Sequence, residues 1–441
     1  MSARRPPLPP GPWLVVGLAR SGAAAARALW AHGEPVIGVD AGEPEEAAQL
    51  HHEGLEIWTG IDGLGELRRA RAVVKSPGVP REAPLIVAAR RIGLPVIGEL
   101  ELGWRLVERP FVAVTGTNGK TTTVELLGAI WRAAGREVAV AGNVGTAVTS
   151  LVDRLPEDAT IVCEASSFQL EDALAFAPEV AVLLNVTPDH LDRHGTFEDY
   201  HAAKLRIFER QRPDDVAVLP CELAGRRVGP ARRVTFGGAD GDLALRDGIL
   251  EWEGRELLPA AEIRLRGAHN AQNAMAAAAA ALAYGVEPGA VVQALRTFAG
   301  VEHRLEEVAR LDGALWVNDS KATNVASTTV ALASFDAPVH LILGGQAQGQ
   351  SFDALRTPVA ERVADVYLVG EAAPQLRAAL GGVVPLHDCG DLEVAVQRAY
   401  AAARPGEVVL LSPACKSFDQ FRGGFEERGA RFKELVAALS G

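Results

Sequence analysis

The stretch that decides the fold reads Phe111-Val-Ala-Val-Thr-Gly-Thr-Asn-Gly-Lys-Thr-Thr-Thr123. An apolar run typical of a buried strand leads into a glycine loop, after which Lys120 and Thr121 open a helical pattern. Backbone N–H groups of such a loop bind phosphates, the lysine supplies a charge, and the threonine hydroxyl can hold Mg²⁺. The usual signature has glycine where this chain has Val114. We therefore predict a phosphate loop that departs from the common NTPase pattern, rather than an ordinary strand-to-helix turn.

Apolar runs alternate with helical patterns along most of the 441 residues. Several runs lack polar alternation, which is typical of parallel strands buried on both faces. The predicted strands are Trp13–Leu18, Val36–Asp40, Ala72–Ser76, Phe111–Thr115, Val138–Ala141, Thr160–Cys163, Val180–Asn185, Val216–Leu219, Leu315–Asn318, Leu341–Leu343, Val366–Val369 and Val408–Leu411. The more polar stretch 226–264 predicts a small antiparallel excursion. The predicted fold class is α/β, with sites at the carboxyl ends of the strands.

The chain is too long for one hydrophobic core, since single cores stop growing near ~250–300 residues. Strands that enter glycine-rich turns after Val16 and Val114, and a third such opening after Gly300, favour three domains. We predict a Rossmann-like N-terminal domain at 1–99 and a central P-loop ATPase-like domain with a mostly parallel sheet at 100–300. A C-terminal Rossmann-like α/β domain is predicted at 301–441.

Bulk composition excludes several classes of function. The net charge of -12 argues against general binding to nucleic acid or to a membrane surface. The four cysteines form no CxxC pair, so reduced thiols are expected rather than a zinc site or a disulfide framework. The first residues lack the apolar region of a secretory signal, and the run Ala274–Tyr284 is shorter than the ~20 residues of a membrane span. We therefore expect a cytoplasmic protein.

Glu164 suggests a metal-dependent site, whereas His190 and Lys204, taken alone, do not. Glu164 ends an apolar strand, where a lone carboxylate is costly to bury, so it is predicted to bind Mg²⁺. The alternative is a helix-capping or solvent-facing glutamate. His190 follows another apolar strand, and taken alone it favours a structural role because Mg²⁺ prefers oxygen. Lys204 lies on a helix whose apolar face is carried by Leu205 and Phe208, which by itself predicts a surface lysine.

The two ends of the chain carry further polar motifs. Gly17-Leu-Ala-Arg-Ser-Gly22 followed by Asp40 is similar to a dinucleotide fingerprint, but Ala19 replaces its middle glycine, so evidence for NAD is weak. Polar segments also follow or flank apolar runs later in the chain. These are Gly267–Asn273, His303-Arg304, Trp316–Asn324 and Leu411–Phe421.

Taken together, these motifs resemble the muramyl ligase family over nearly the whole chain. The loop TGTNGKTT is similar to the family's ATP loop, which folylpolyglutamate synthetases share. The segments AGNVG, EASSFQLE, NVTPDHLDRH, HAAKLRIF and SPACKSFDQF resemble the branch that adds D-glutamate. NDSKATN at 318–324 discriminates best, because the branches that add other amino acids differ there.

The resemblance implies a role for each matching residue. The expected ATP ligands are Gly116, Thr117, Asn118, Gly119, Lys120, Thr121, Thr122, Asn273, Arg304 and Asp319. The expected ligands of two Mg²⁺ ions are Thr121 with Glu164 and His190 with Lys204, the latter as a carbamate. The expected catalytic residues are Lys120, Glu164, His190 and Lys204. The expected UDP-sugar ligands are Arg20, Ser21, Asp40, Gly78 and Asn143. The expected D-glutamate ligands are Lys321, Thr323, Ser417 and Phe425.

The implied activity is ATP-dependent addition of D-glutamate to UDP-N-acetylmuramoyl-L-alanine through an acyl phosphate, by a monomer active in cytoplasmic peptidoglycan synthesis. Another muramyl ligase or a folylpolyglutamate synthetase is the enzyme alternative. A nucleotide-gated regulatory protein is the alternative from another class. The intact residues Lys120, Glu164, His190 and Lys204 speak against that last reading.

The sequence departs from the family pattern in three places. Ala41 and Gly42 occupy positions where the family often has larger side chains that can contact a uracil ring. The segment Phe421–Phe425 is one residue longer than usual. Gln348 replaces an expected lysine that would pair with a carboxylate of D-glutamate. Either Lys416 supplies the missing charge, or it points to solvent and neutral contacts suffice.

Overall fold

The computed structural model describes residues 5–226, 228–265, 267–347 and 349–439. They form an α/β fold with three sheets. The chain divides into two compact units. The first unit runs up to Ile263 and includes Gln272–Arg296, and the second contains Arg264–Ala271 and continues from Thr297.

The first sheet belongs to the first unit and is entirely parallel. Its strands are β1 (Trp13–Val16), β2 (Val36–Asp40), β3 (Glu56–Thr59), β4 (Ala72–Lys75) and β5 (Val96–Gly98). Its helices are α1 (Arg20–Ala31), α2 (Glu45–His52), α3 (Pro84–Arg91) and α4 (Glu99–Leu106). The strand order is β3-β2-β1-β4-β5. The chain therefore changes direction of winding at β1, which opens a crevice at the carboxyl ends of β1 and β4.

The second sheet, also in the first unit, has nine strands. They are β6 (Phe111–Thr115), β7 (Val138–Gly142), β8 (Thr160–Glu164), β9 (Val180–Leu183), β10 (Val216–Pro220), β11 (Arg232–Phe236), β12 (Leu243–Arg246), β13 (Ile249–Trp252) and β14 (Arg255–Pro259). The helices are α5 (Lys120–Ala133), α6 (Ser167–Glu171), α7 (Leu191–His194), α8 (Phe197–Glu209), α9 (Ala268–Ala283) and α10 (Pro288–Thr297). The order is β14-β13-β12-β11-β10-β9-β6-β8-β7, so β6 lies between β9 and β8, and all of its residues are buried.

The polar stretch 226–264 forms the edge of this second sheet. β11 continues the parallel part, whereas β13 pairs antiparallel with both β12 and β14. The predicted antiparallel excursion is thus confirmed for the part of this stretch that the structure describes. Its polar residues face solvent at the edge, which explains the absence of long apolar runs.

The third sheet lies in the second unit. Its strands are β15 (Glu306–Leu311), β16 (Ala314–Asn318), β17 (Val339–Gly344), β18 (Val363–Val369), β19 (Leu386–Gly390) and β20 (Val408–Leu411). Its helices are α11 (Val325–Leu332), α12 (Arg356–Arg362), α13 (Ala373–Leu380), α14 (Leu392–Ala402) and α15 (Gly424–Ala438). The order is β15-β16-β20-β17-β18-β19, parallel except for the β15–β16 pair. The predicted α/β class is confirmed.

Buried polar contacts join the first two sheets within the first unit. Lys75, at the end of β4, pairs with Asp172 just after α6 at 2.8 Å, and both side chains are 2% exposed. Glu99 accepts hydrogen bonds from the backbone N–H and the hydroxyl of Thr149, at 2.7 and 2.8 Å. Breaking such buried pairs is costly because one charge loses its partner. No helix in the described part of the chain is long and apolar enough to cross a membrane.

Candidate active site

The predicted phosphate loop joins β6 to α5. Gly119 precedes the helix with φ +86°, a conformation that glycine adopts without penalty. A Cβ at this position would also lie 2.1 Å from Oδ1 of Asn273. The Nζ of Lys120 donates to the carbonyl oxygens of Gly116 and Thr117, each at 2.9 Å. The loop therefore has the backbone, the lysine and the helix N-terminus that phosphate binding requires.

A neighbouring asparagine holds the loop in shape. Oδ1 of Asn185 accepts from the N–H groups of Thr117 and Asn118, at 3.1 and 2.9 Å, and its Nδ2 donates to the Asn118 carbonyl. No role was predicted for Asn185 from the sequence. The available signal was its position two residues after β9, the strand beside β6, because carboxyl ends of parallel neighbours meet at one edge.

Glu164 ends β8 beneath the same loop and is 2% exposed. Thr121 Oγ1 donates to its Oε2 at 2.8 Å, and Asn143 Nδ2 donates to its Oε1 at 3.0 Å. The carboxylate is therefore neither solvent-facing nor a helix cap, since Ser166 caps the helix that follows. Thr122, which follows Thr121 in α5, is buried as well.

Lys204 does not lie on the surface, so the prediction made from its helix alone is wrong. The side chain is buried on α8, and its Nζ donates to the Gly116 carbonyl at 2.7 Å. The Nζ also lies 4.5 Å from the ring centroid of Tyr200. Burial, reinforced by the nearby charge of Lys120, lowers the pKa of the Lys204 amine to about 7. A large fraction of this amine is therefore neutral near neutral pH.

His190 lies just before α7 in a left-handed conformation, and its side chain is 49% exposed. Its ring centroid lies 5.1 Å from Phe168 and 6.4 Å from Tyr200. Tyr200 therefore adjoins both His190 and Lys204, and its hydroxyl lies 3.0 Å from Thr117 Oγ1. The structure brings His190 and Lys204 to one side of the phosphate loop.

Most residues predicted to bind the UDP-sugar lie at the carboxyl edge of the first sheet. These are Arg20, Ser21, Asp40 and Gly78. The Asp40 carboxylate accepts from the backbone N–H groups of Leu18 and Gly42, at 2.6 and 2.7 Å, and so fixes the turns after β1 and β2. The fifth residue, Asn143, lies in the second sheet and contacts Glu164, as described above.

In the second unit, Asp319 follows β16 and is buried. Ser412 Oγ donates to its Oδ2 at 2.8 Å, and the Leu305 N–H donates to its Oδ1 at 3.2 Å. Burial raises the pKa of the Asp319 carboxyl to about 7, although the charges of Arg304 and Arg428 oppose the shift. Asp319 and Arg304, both predicted to approach the nucleotide, are thus electrostatic neighbours.

The residues predicted to bind D-glutamate lie on two segments of the second unit. Lys321 Nζ lies 5.0 Å from the Phe425 ring centroid, and Ser320 Oγ donates to the Phe425 carbonyl at 2.8 Å. Thr323 is partly buried, and Ser417 is buried. Lys321 and Phe425 are therefore brought together.

The position that departs from the family, Gln348, lies outside the described residues. Lys416 is partly buried, and its backbone pairs with Gln346 through two hydrogen bonds of 2.7 and 3.2 Å. Nothing in these contacts tests whether Lys416 supplies the missing charge, so that suggestion stays a prediction.

The side chains around the phosphate loop fit a magnesium nucleotide. Glu164 and Thr121 present a carboxylate and a hydroxyl, which are ligand types that Mg²⁺ prefers, whereas the amine of Lys204 fits a hard cation only after conversion to an oxygen ligand. In residues 5–439, apart from the three undescribed positions, no group of three or more His, Cys, Asp or Glu side chains gathers as a metal cluster.

The fold and the loop define a class: an α/β protein that holds a nucleotide phosphate loop on a central parallel sheet. Comparison with family models makes the class specific. The Mur ligase MurD-like N-terminal domain matches residues 12–98, the Mur ligase middle domain matches 114–281, and the Mur ligase glutamate ligase domain matches 303–415. The chain belongs to the Mur ligase family, and it has the family's three domains.

Individual relatives agree with this assignment. The UDP-N-acetylmuramoylalanine–D-glutamate ligase of Acidobacterium capsulatum is 45% identical, over 97% of this chain and 96% of the relative. The ligase of the same name from Koribacter versatilis is 44% identical, over 97% of both chains. Among solved structures, the UDP-N-acetylmuramate-alanine ligase of Thermotoga maritima matches with a TM-score of 0.61 at 20% identity, over 97% of this chain and 100% of that one. That structural match concerns the fold alone.

Proposed function

We propose that this chain is an ATP-dependent ligase that adds D-glutamate to UDP-N-acetylmuramoyl-L-alanine in peptidoglycan precursor synthesis. Relatives at 45% and 44% identity over nearly the full length are named for this activity. The structural observation that carries the proposal is the convergence on one loop. The side-chain amines of Lys120 and Lys204 both donate to the Gly116 carbonyl. The Thr121 hydroxyl donates to the Glu164 carboxylate at the same loop.

The proposed reaction has two chemical steps. An oxygen of the L-alanyl carboxylate attacks the γ-phosphorus of ATP, and ADP leaves, which gives an acyl phosphate. The amine of D-glutamate then attacks the acyl carbon, loses a proton, and expels phosphate from the tetrahedral intermediate. The first step joins two anions, so the positive charge of Lys120 stabilises the moving phosphoryl group.

Two Mg²⁺ ions are proposed as cofactors, one held by Thr121 and Glu164 and one by His190 and Lys204. When bound, they screen the negative charges of the reacting groups. Lys204 would bind as a carbamate, which forms when the neutral amine adds to CO₂ and releases one proton. The lowered pKa of this buried amine, about 7, supports that conversion near neutral pH.

The substrate roles follow the position of each group in the fold. We propose that 1–99 is the UDP-sugar domain, 100–300 the ATP domain and 301–441 the amino-acid domain. The proposed UDP-sugar ligands are Arg20, Ser21, Asp40, Gly78 and Asn143. The proposed ATP ligands are Gly116–Thr122, Asn273, Arg304 and Asp319. The proposed D-glutamate ligands are Lys321, Thr323, Ser417 and Phe425. The enzyme is proposed to act in the cytoplasm and as a monomer.

The deciding experiment measures phosphate release and product mass with ATP, Mg²⁺, UDP-N-acetylmuramoyl-L-alanine and a panel of amino acids. We expect release only when both the UDP-sugar and D-glutamate are present. Equal rates with L-glutamate or diaminopimelate would instead indicate another member of the family, and activity with a folate acceptor would indicate a folylpolyglutamate synthetase. ATP binding with no release under any condition would support a regulatory protein.

A further inference from the structure

His194, the last residue of α7, is a buried imidazole with a polar partner on each side. Its Nε2 lies 3.0 Å from Ser167 Oγ, and its Nδ1 lies 3.1 Å from Glu171 Oε1. Ser167 and Glu171 are the first and last residues of α6, so one ring spans that helix. A carboxylate beside Nδ1 favours the tautomer with hydrogen there, which leaves Nε2 to accept from the Ser167 hydroxyl. The imidazole therefore ties α7 to α6.

The faces and edges of the same ring contact two aromatic side chains. His194 stacks on Phe168, with centroids 5.1 Å apart and planes at 5°, and meets Tyr200 edge-on at 5.1 Å. His190 lies against the same two rings, and its carbonyl accepts the His194 N–H at 3.0 Å. His190 and His194 thus contact the same two aromatic rings, and His194 is in addition held by Ser167 and Glu171.

Tyr200 carries this anchoring to the phosphate loop. Its ring supports the Nζ of Lys204 at 4.5 Å, and its hydroxyl lies 3.0 Å from Thr117 Oγ1. If the His194 ring moved, the Tyr200 ring would lose its packing contact with His194. Lys204 and His190 would then lose a common support, because both lie against Tyr200.

We propose that His194, held by Ser167 and Glu171, is a positioning residue that fixes His190 and Lys204 for binding of the second divalent cation. The inference rests on the proposed function. Partners that orient metal ligands from behind typically change metal affinity or activity by ~10–100-fold when removed. His194 serves both proposed ligands, one through the shared aromatic rings and the backbone, the other through Tyr200.

Ser167, His194 and Glu171 are the residue types of a hydrolytic triad, but they are not arranged as one. The Ser167 side chain is buried at 3% exposure, so its oxygen is not presented to a substrate. The contact between His194 Nδ1 and Glu171 is close but lacks the alignment of a hydrogen bond. These contacts therefore anchor a ring rather than activate a nucleophile.

The test separates the polar anchoring from ring packing. His194→Phe keeps an aromatic ring against Phe168 and Tyr200 but removes both polar contacts, and His194→Gln restores a polar group that can reach Ser167. The matched control is His201→Phe, because His201 lies on the same helix α8 and stacks on Phe197, which has no part in the contacts of His194. Each full-length variant is titrated with Mn²⁺ in the presence of a non-hydrolysable ATP analogue and the UDP-sugar, and free Mn²⁺ is counted by EPR.

We expect His194→Phe to weaken the second Mn²⁺ by ~10-fold or more, with the first unchanged. The Mg²⁺ concentration for half-maximal phosphate release should rise in parallel, while the KM for ATP stays within about twofold. His194→Gln should recover part of the loss, and His201→Phe should match wild type. Wild-type Mn²⁺ binding in His194→Phe would overturn the inference.

Two further results keep the outcome decisive. If His194→Phe fails to fold, Ser167→Ala serves instead, with an expected loss of about 3–10-fold, the scale of one hydrogen bond. An unchanged second site in Ser167→Ala would then overturn the inference. A wild-type protein that forms no product refutes the proposed function, whereas an active wild type whose second Mn²⁺ site is unchanged in His194→Phe refutes only the role of His194.

Discussion

The lowered pKa of Lys204 gives the sharpest prediction, because the chain has so few lysines. There are six, at positions 75, 120, 204, 321, 416 and 433. An ordinary lysine has a pKa of ~10.4, so only about 1 in 2,500 of its amines is neutral at pH 7. With a pKa of about 7, half of the Lys204 amines are neutral at that pH. The group able to add CO₂ is thus roughly 10³-fold more abundant at Lys204 than at an exposed lysine.

The assay is carbon NMR of protein labelled with ¹³C at the lysine Cε, first titrated in CO₂-free buffer. Six signals are expected, and Lys204→Met identifies the one that belongs to Lys204. We expect that signal to titrate near pH 7, several units below a fully exposed lysine. Adding ¹³C-bicarbonate should then produce a carbamate signal from Lys204 beside that of the N-terminal amine, and the Lys204 signal should grow from pH 6 to pH 8, because the neutral fraction rises across that range.

Two results would refute this reasoning. A Lys204 signal that titrates above pH 9 would mean that the amine keeps its proton despite burial. A carbamate spectrum that is unchanged in Lys204→Met would mean that Lys204 carries no carbamate. Lys416→Met, which removes a partly buried lysine outside the first unit, is the matched control and should leave both titration and carbamate unchanged.

Three further predictions follow from the same contacts. Lys120→Ala should lower the rate of phosphate release by ~10²-fold or more, because a charge that stabilises the transition state is lost. Its melting temperature should stay unchanged. Glu164→Gln should raise the Mg²⁺ concentration needed for half-maximal rate, measured by phosphate release. Lys75→Met should lower the melting temperature of the first unit by about 5 °C in calorimetry, since the buried Asp172 carboxylate then keeps only the more exposed Arg90 as its partner, and Lys75→Met combined with Asp172→Leu should recover part of that loss. Unchanged values would contradict each expectation.

The strands inside each of the three sheets were predictable, because helices cover both faces of those strands. Burial on both faces leaves an unbroken apolar run such as Phe111–Thr115. The edge strand Val138–Gly142 was predicted, whereas three other edge strands were not, and their sequences show why. Glu56–Thr59 and Leu386–Gly390 are partly exposed and polar, so no run marks them. Val96–Gly98 is only three residues long.

Lys204 shows where sequence reasoning about the site failed and which signal was present. Tyr200, Lys204 and Phe208 are four residues apart and share the buried face of α8, whereas Leu205 is only partly buried. Four-residue spacing places side chains on one helical face. The charge of Lys204 favoured a surface position, but its hydrogen bond to the Gly116 carbonyl stabilises the buried one. That partner is 88 residues away in sequence, and no local pattern reveals it.

The hydroxyl of Thr121 decides how Glu164 acts in the proposed site. A hydroxyl that donates its hydrogen to a carboxylate keeps its lone pairs for a cation. Thr121 can therefore bind Mg²⁺ while its hydrogen stays on Glu164, and Asn143 holds the other carboxylate oxygen in place. In Glu164→Gln the new amide group can donate to Thr121 instead, which would turn the hydroxyl hydrogen toward the cation. The loss of Mg²⁺ affinity should then exceed that of Asn143→Ala, which leaves the Thr121–Glu164 hydrogen bond intact. Equal Mg²⁺ dependence in the two variants would contradict a role of the Thr121–Glu164 pair in holding the cation.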